Sequence, residues 1–167
     1  DEVRALLPMV QTWMAGALKF TLEYDRPFWR NEGYSGMVYS HAGIVTEMYD
    51  HTDAEKRKFG FTGFLQTGAA AYSREIRRQL VLGQLGNLFG TQAQTPTAYF
   101  DKVWTGDGIG AGNPAIQHPH QHHGHPLLQR GYLHDKLFFA ATETATAYPG
   151  YMEGAVIAAK HMADKLV

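Results

Sequence analysis

Four groups of residues in this chain have the types and spacing to do chemistry. The first, Gly106-Asp-Gly108-Ile-Gly110-Ala111, fits a dinucleotide fingerprint with alanine in its last place. That chemistry needs the last small residue to open a helix whose N-terminus faces a pyrophosphate. Asn113-Pro114 and a histidine tract follow instead, so the segment reads as a flexible glycine loop. The second is His118-Pro-His120-Gln-His122-His123-Gly-His125, five imidazoles within eight positions. Neutral imidazoles bind zinc, nickel or copper. A defined site, however, needs ligands in fixed geometry, and an aperiodic loop broken by prolines and a glycine does not supply it. The tract therefore reads as a solvated loop with adventitious metal affinity, and no metal site is assigned.

The third is Lys19, which stands on the polar side of an alternating stretch, Leu18, Phe20, Leu22 and Tyr24 pointing the other way. A surface strand lysine is the ordinary outcome. Were that face covered by a cofactor, the ammonium would become a partly desolvated donor aimed at it. Periodicity leaves both readings open. The fourth is Phe138-Phe-Ala-Ala-Thr-Glu-Thr-Ala-Thr146 with Gly150-Tyr-Met-Glu-Gly-Ala-Val156. An apolar strand running through small residues into a helix start lets backbone N–H groups approach a ligand closely. Here Glu143 could accept from a sugar hydroxyl, and Tyr151 falls where the helix begins. A plain strand-turn-helix fits the same residues.

These groups need elements to position them. Alternation predicts a half-buried strand over 16–24, ended by Arg26-Pro27. Further strands are expected at Met37–Ser40, Ile44–Tyr49, Phe59–Leu65 and Thr97–Trp104, giving a mainly antiparallel sheet. From Ala70 to Phe89 the period turns helical, with Ile76, Leu80, Leu85, Leu88 and Phe89 as the apolar set and Gly90 as the stop. Residues 105–126 show no period. Leu137–Ala140 reads as a short apolar strand, and 150–166 as a helix with Ala155, Val156, Ala159, Ala163 and Leu166 on one face. The fold class is α+β.

The 167 residues suffice for one ordinary domain with a core. A formal net charge of -1 argues against a dedicated nucleic-acid binder, and 44% hydrophobic with 13% aromatic residues argues against disorder. Zero cysteines exclude disulfides, a catalytic thiol and any cofactor held through sulfur. No stretch reads as a membrane span, since Leu80–Phe100 is broken by glycines and Pro96. Asp1, Glu2 and Arg4 do not open a signal peptide, and the expected compartment is the cytoplasm. The missing initial Met and the Leu6-Leu7-Pro8 opening suggest a piece of a longer protein.

The run Phe139-Ala-Ala-Thr-Glu-Thr-Ala-Thr-Ala-Tyr-Pro-Gly-Tyr-Met-Glu-Gly-Ala-Val156 resembles the C-terminal FAD-binding signature of flavin-containing amine oxidases, the monoamine oxidases above all. Upstream, Met14-Ala-Gly-Ala-Leu-Lys-Phe20 and Pro27-Phe-Trp-Arg30 resemble that family's lysine strand and the Pro-Phe-Trp after it. The resemblance implies a C-terminal portion of such an enzyme, with 1–130 as part of the substrate-binding domain and 131–167 as the last strand and helix of the FAD-binding domain. It implies oxidative deamination of a small-molecule amine, by hydride transfer to flavin N5 with O2 reduced to H2O2. Lys19 would hold a water against flavin N5, and Tyr151 would form one wall of an aromatic cage. Ala141, Thr142, Glu143, Gly150, Tyr151, Met152 and Ala155 would contact FAD, Met152 through its backbone N–H. Tyr34, Asn113 and Tyr151 would border the substrate. The second cage tyrosine would fall near Asn113 or Pro114, neither of them aromatic, and the signature's usual glycine is Ala141. Without cysteine, FAD would be non-covalent. The resemblance also implies a partner in the N-terminal FAD-binding region of the same protein, without which this portion would be inactive and could lack FAD. Apolar surface left open by that region's absence would favour a homodimer. The open alternative is a non-catalytic FAD- or metal-binding relative.

Overall fold

A computed structural model describes residues 2–11, 14, 16–104 and 120–166. The chain divides into two compact units, Ala17–Trp104 and the combination of Asp1–Gly16 with Thr105–Val167. The elements, in chain order, are α1 (Glu2–Leu6), β1 (Leu18–Tyr24), α2 (Phe28–Asn31), β2 (Val38–Tyr39), β3 (Val45–Asp50), β4 (Phe59–Leu65), α3 (Arg74–Phe89), β5 (Ala98–Val103) and α4 (Met152–Leu166). The fold is α+β, as the alternation and the later helical period imply.

In the first unit the strands form one antiparallel sheet in the order β2-β3-β4-β1-β5. The expected alternation fixes which face is covered. Leu18, Phe20, Leu22 and Tyr24 of β1 are buried, together with Phe61 and Leu65 of β4, Met48 of β3 and Tyr99 of β5. Over them lie Val81, Leu82 and Leu85 of α3 and the fully buried Trp29 of α2. The aromatic rings meet edge-on, Tyr24 with Phe28 at 5.1 Å and with Trp29 at 5.8 Å between centroids. Such contacts add to the area they bury. The Tyr24 hydroxyl is not orphaned in this core, because it donates to Ala93 O at 2.9 Å. Burial pushes its pKa up.

Helix α3 starts later than its apolar period suggested. Thr67–Ala71 form a 3-10 turn, and Ser73 caps the helix by accepting from Ile76 N at 3.3 Å. Its buried face also differs from the expected one. Ile76, Leu80 and Leu88 remain 45%, 44% and 47% exposed, while Arg77 turns inward. An arginine can do so when its charge is paired and its stem packed. Arg77 makes a two-pronged contact with Asp101 of β5, Nε–Oδ2 2.7 Å and Nη2–Oδ1 3.0 Å, and Tyr99 donates to the same carboxylate at 2.8 Å. Burial pushes the Asp101 carboxyl up, but these donors outweigh it and hold it below the usual carboxylate range.

The second unit, in its described residues, has little regular structure besides α1 and α4. Its buried apolar side chains are Val3, Leu6, Leu128, Ala145, Ala158 and Met162. Leu137–Ala140 does not form the expected strand; Leu137 makes a single bridge to Tyr132 across a tight turn. A strand exists only where a neighbour takes up its N–H and C=O groups, and among the described residues no second strand runs beside 138–140. Helix α4 buries Gly154, Ala158 and Met162, not the expected set. Val156 and Leu166 are 62% and 71% exposed. Gly154 decides this face, since a Cβ there would run into Tyr148 O and Thr142 Oγ1.

Candidate functional site

Lys19 lies where alternation places it, exposed on the face of the sheet opposite α3. The register sets Phe64 of β4 on one side of it and Lys102 of β5 on the other. Its ammonium rests over the Phe64 ring at 5.9 Å, and that of Lys102 over Trp104 at 5.5 Å. Aromatic faces attract cations, so each lysine is directed by a ring beside it. Phe100 and Tyr39 share this face by register, 58% and 65% exposed. Tyr49 donates to Glu47 Oε1 at 2.5 Å and its hydroxyl touches that of Tyr39. The bond to Glu47, reinforced by Tyr39, pushes the Tyr49 pKa up. This tyrosine–glutamate chain carried no signal beyond alternation.

Tyr34 is not brought together with Lys19. Its ring stands edge-on against Phe89 at 5.7 Å, and Phe89 stacks at 5.7 Å on Phe61 of the covered face. The sheet therefore lies between Tyr34 and the lysine. A cavity of about 410 Å3 in this unit is lined by Arg74, Glu75, Arg78, Pro96, Thr97 and Tyr99 among others, and Lys19 does not line it.

In the other unit the signature folds as a set of hydrogen-bonded turns leading into α4. Thr142 is its clamp: the Oγ1 hydroxyl donates to Tyr151 O at 2.8 Å and accepts from Gly150 N at 2.9 Å. Gly150, at φ +85, supplies a left-handed conformation that other residues rarely adopt. Thr144 Oγ1 donates to Ala141 O at 2.8 Å, and Tyr151 N to Tyr148 O at 3.2 Å. These bonds leave Tyr151 immediately before α4 with its side 52% exposed, and Met152 at the first helical position 89% exposed. Ala141 and Ala155 are exposed as well, and Glu143 is half-buried with its carbonyl accepting from Gly124 N at 2.7 Å.

The histidine tract enters the same unit. His118 and Asn113 lie outside the described residues, but His120 stacks nearly parallel on Tyr151, centroids 5.8 Å apart at 15°. His120 and His122 are left-handed at φ +69 and +64, each a departure costing on the order of 1–2 kcal/mol that neighbouring contacts must offset. Sequence reading missed this pairing; the one local hint is Gly124, at φ +67, which closes the same turn. Among the described residues no group of three or more His, Cys, Asp or Glu is placed to hold a metal ion. No helix there is long and apolar enough to cross a membrane.

The sequence profile of the flavin containing amine oxidoreductases matches residues 2–167, and the chain belongs to that family. It is 31% identical over 181 residues to a Dictyostelium discoideum protein named "Probable flavin-containing monoamine oxidase A", spanning 100% of this chain and 37% of that one. Against flavin-containing amine oxidase B of Homo sapiens the figures are 28% over 177 residues, 96% and 34%. The chain thus spans about a third of the length of these relatives. Solved structures of putrescine oxidase and of cyclohexylamine oxidase from Brevibacterium oxydans share its fold, with TM-scores of 0.72 and 0.71. They are 22% and 24% identical, and the matches cover 90% of this chain and 34% and 36% of theirs.

Proposed function

We propose that this chain is the C-terminal portion of an FAD-dependent amine oxidase that converts an amine, O2 and water to an aldehyde, ammonia or a smaller amine, and H2O2. Residues 131–167 would complete its FAD-binding domain and 1–130 part of its substrate-binding domain, in a cytoplasmic protein. The observation that carries the reading is the clamped turn at Thr142, which presents Tyr151 and the start of α4 together.

That turn fits a flavin. The first N–H groups of a helix have no partner within it and carry partial positive charge, which suits the electron-rich pyrimidine end of the ring at Met152. Ala141, Gly150 and Ala155 are small enough for close approach, and Glu143, two residues after Ala141, would accept from a sugar hydroxyl. Thr142, its hydroxyl already engaged, serves by shaping the turn. Held non-covalently at these residues, FAD would supply a two-electron acceptor. Tyr151 would present a flat ring to the amine and Lys19 would hold a water at the reacting face, whereas Tyr34, on the other face of the sheet from Lys19, has no part in this site.

The full-length protein tests this. It should be yellow on purification, lose its flavin on denaturation, and release peroxide with at least one amine of a broad panel. A colourless protein that FAD does not reconstitute overturns the proposal. A yellow protein inert to every amine would instead identify a non-catalytic flavin-binding relative.

A further inference from the structure

His120 and His123, read from sequence as part of a solvated loop, are tied to Tyr151 and Gln11. His123 Nε2 lies 2.8 Å from Gln11 O, and His123 Nδ1 lies 3.3 Å from Nδ1 of His120. A carbonyl only accepts, so Nε2 of His123 carries the hydrogen. In neutral His123 the lone pair is then on Nδ1, and His120 donates to it through Nδ1–H. The two rings meet edge-on at 5.2 Å. Three fixed points follow one another: a main-chain carbonyl, an imidazole in one tautomer, and a second imidazole lying flat on Tyr151 at 15°.

We infer that His120 is a positioning residue for Tyr151: its ring holds the tyrosine ring at the orientation in which it meets the amine, and His123 with Gln11 holds His120. This rests on the reading that Tyr151 borders the substrate. It gives part of the histidine tract a role in amine recognition. Half-exposed aromatic rings beside a helix start otherwise sample several rotamers, and a parallel ring on one side removes that freedom.

The test uses the full-length flavoprotein and four variants, His120→Ala, His120→Phe, His123→Leu and Tyr151→Ala. His120→Ala should raise KM for the amine about two- to twelvefold, the range an aromatic pair commands, with kcat nearly unchanged. The visible-spectrum change of the flavin on adding a non-oxidisable amine should need correspondingly more ligand. His120→Phe, which keeps a flat ring, should restore KM, and His123→Leu should fall between. Selectively 15N-labelled histidine should show His123 as the Nε2–H and His120 as the Nδ1–H tautomer. The inference is overturned if His120→Ala leaves KM and the ligand titration unchanged while Tyr151→Ala shifts both. It is equally overturned if His120→Phe fails to restore them, or if His123 proves to be the Nδ1–H tautomer. Should His120→Ala not fold, His123→Leu and the tautomers decide. An unchanged ligand titration in Tyr151→Ala would instead refute the underlying reading of Tyr151.

Discussion

The two units hold their candidate residues by different means. In the sheet, Lys19 is fixed by ladder register between two strands, over a face buried by large aliphatic and aromatic side chains. In the signature unit, the turn that carries Tyr151 is held by individual hydrogen bonds, those of Thr142 Oγ1 and that of Tyr151 N to Tyr148 O, with His120 stacked on the ring, over a face that includes Gly154 and Ala158. Register is a cooperative property of many backbone bonds, whereas a clamp fails with one atom. Substitutions in the sheet should therefore affect stability and leave the position of Lys19 intact. Those in the signature unit should move the site at modest cost in stability.

The largest effect is expected where the sheet unit does depend on one contact. Arg77→Met leaves Asp101 buried to 3% side-chain exposure without its main counter-charge. Removing one partner of a buried pair costs about 3–5 kcal/mol, read as a fall in unfolding free energy of the full-length protein. Arg77→Met with Asp101→Leu should recover much of that loss. A single variant as stable as the parent would show that packing alone secures α3 on β5.

Next comes Gly154→Ala, which tests the other half of the comparison. The added methyl group meets Tyr148 O and the Thr142 Oγ1 that binds both Gly150 N and Tyr151 O. Overpacking of this kind costs about 1–3 kcal/mol. The sharper expectation is functional: flavin content should fall or KM rise at temperatures where the variant is still fully folded. A pure stability loss with intact flavin and KM would erase the distinction between the units.

Legibility in the sequence follows the same division. The strands β1 and β4 were readable because alternation of Leu18, Phe20, Leu22 and Tyr24 is a local signal of burial. Helix α3 was readable as a helix but not for its face, because the inward Arg77 is paired with Asp101, 24 residues away. Helix α2, at four residues, is too short for any period to mark. Leu137–Ala140 misled because an apolar run states burial without naming a strand partner. At the site, the outward direction of Lys19 came from alternation, and the signature residues came from resemblance. The stack of His120 on Tyr151 joins residues 31 apart, with His120 in a left-handed backbone conformation that no residue pattern specifies.

A smaller effect is expected at Asp50, which joins α2 to β3 by accepting from Trp29 Nε1 at 2.8 Å and Arg30 Nε at 2.5 Å. Burial pushes its carboxyl up, but the bonds from Arg30, Thr52 and Trp29 prevail and bring it to about 2. A folded value below the unfolded one, about 3.9, means stability that is present above pH ~4 and lost as pH falls through about 2. Asp50→Asn should cost on the order of 1 kcal/mol at neutral pH after solvent screening, and nothing measurable at the acid end. A pH-independent difference between the two proteins would assign the effect to packing.

The smallest change in stability is expected at Lys19, and it is the most direct test of what register does. The side chain is exposed and its ammonium rests on a single ring, so Lys19→Met should alter unfolding free energy by no more than about 0.5 kcal/mol. Main-chain pairing with Phe64 and Lys102 does not involve the side chain, and the methionine should occupy the same place on the same face. Flavin reduction or reoxidation should nevertheless slow in the full-length protein, measured by stopped-flow absorbance. Unchanged rates would remove Lys19 from the chemistry. A large stability loss would mean that the lysine holds the strand, and that the sheet, like the signature turn, relies on single contacts to place its side chains.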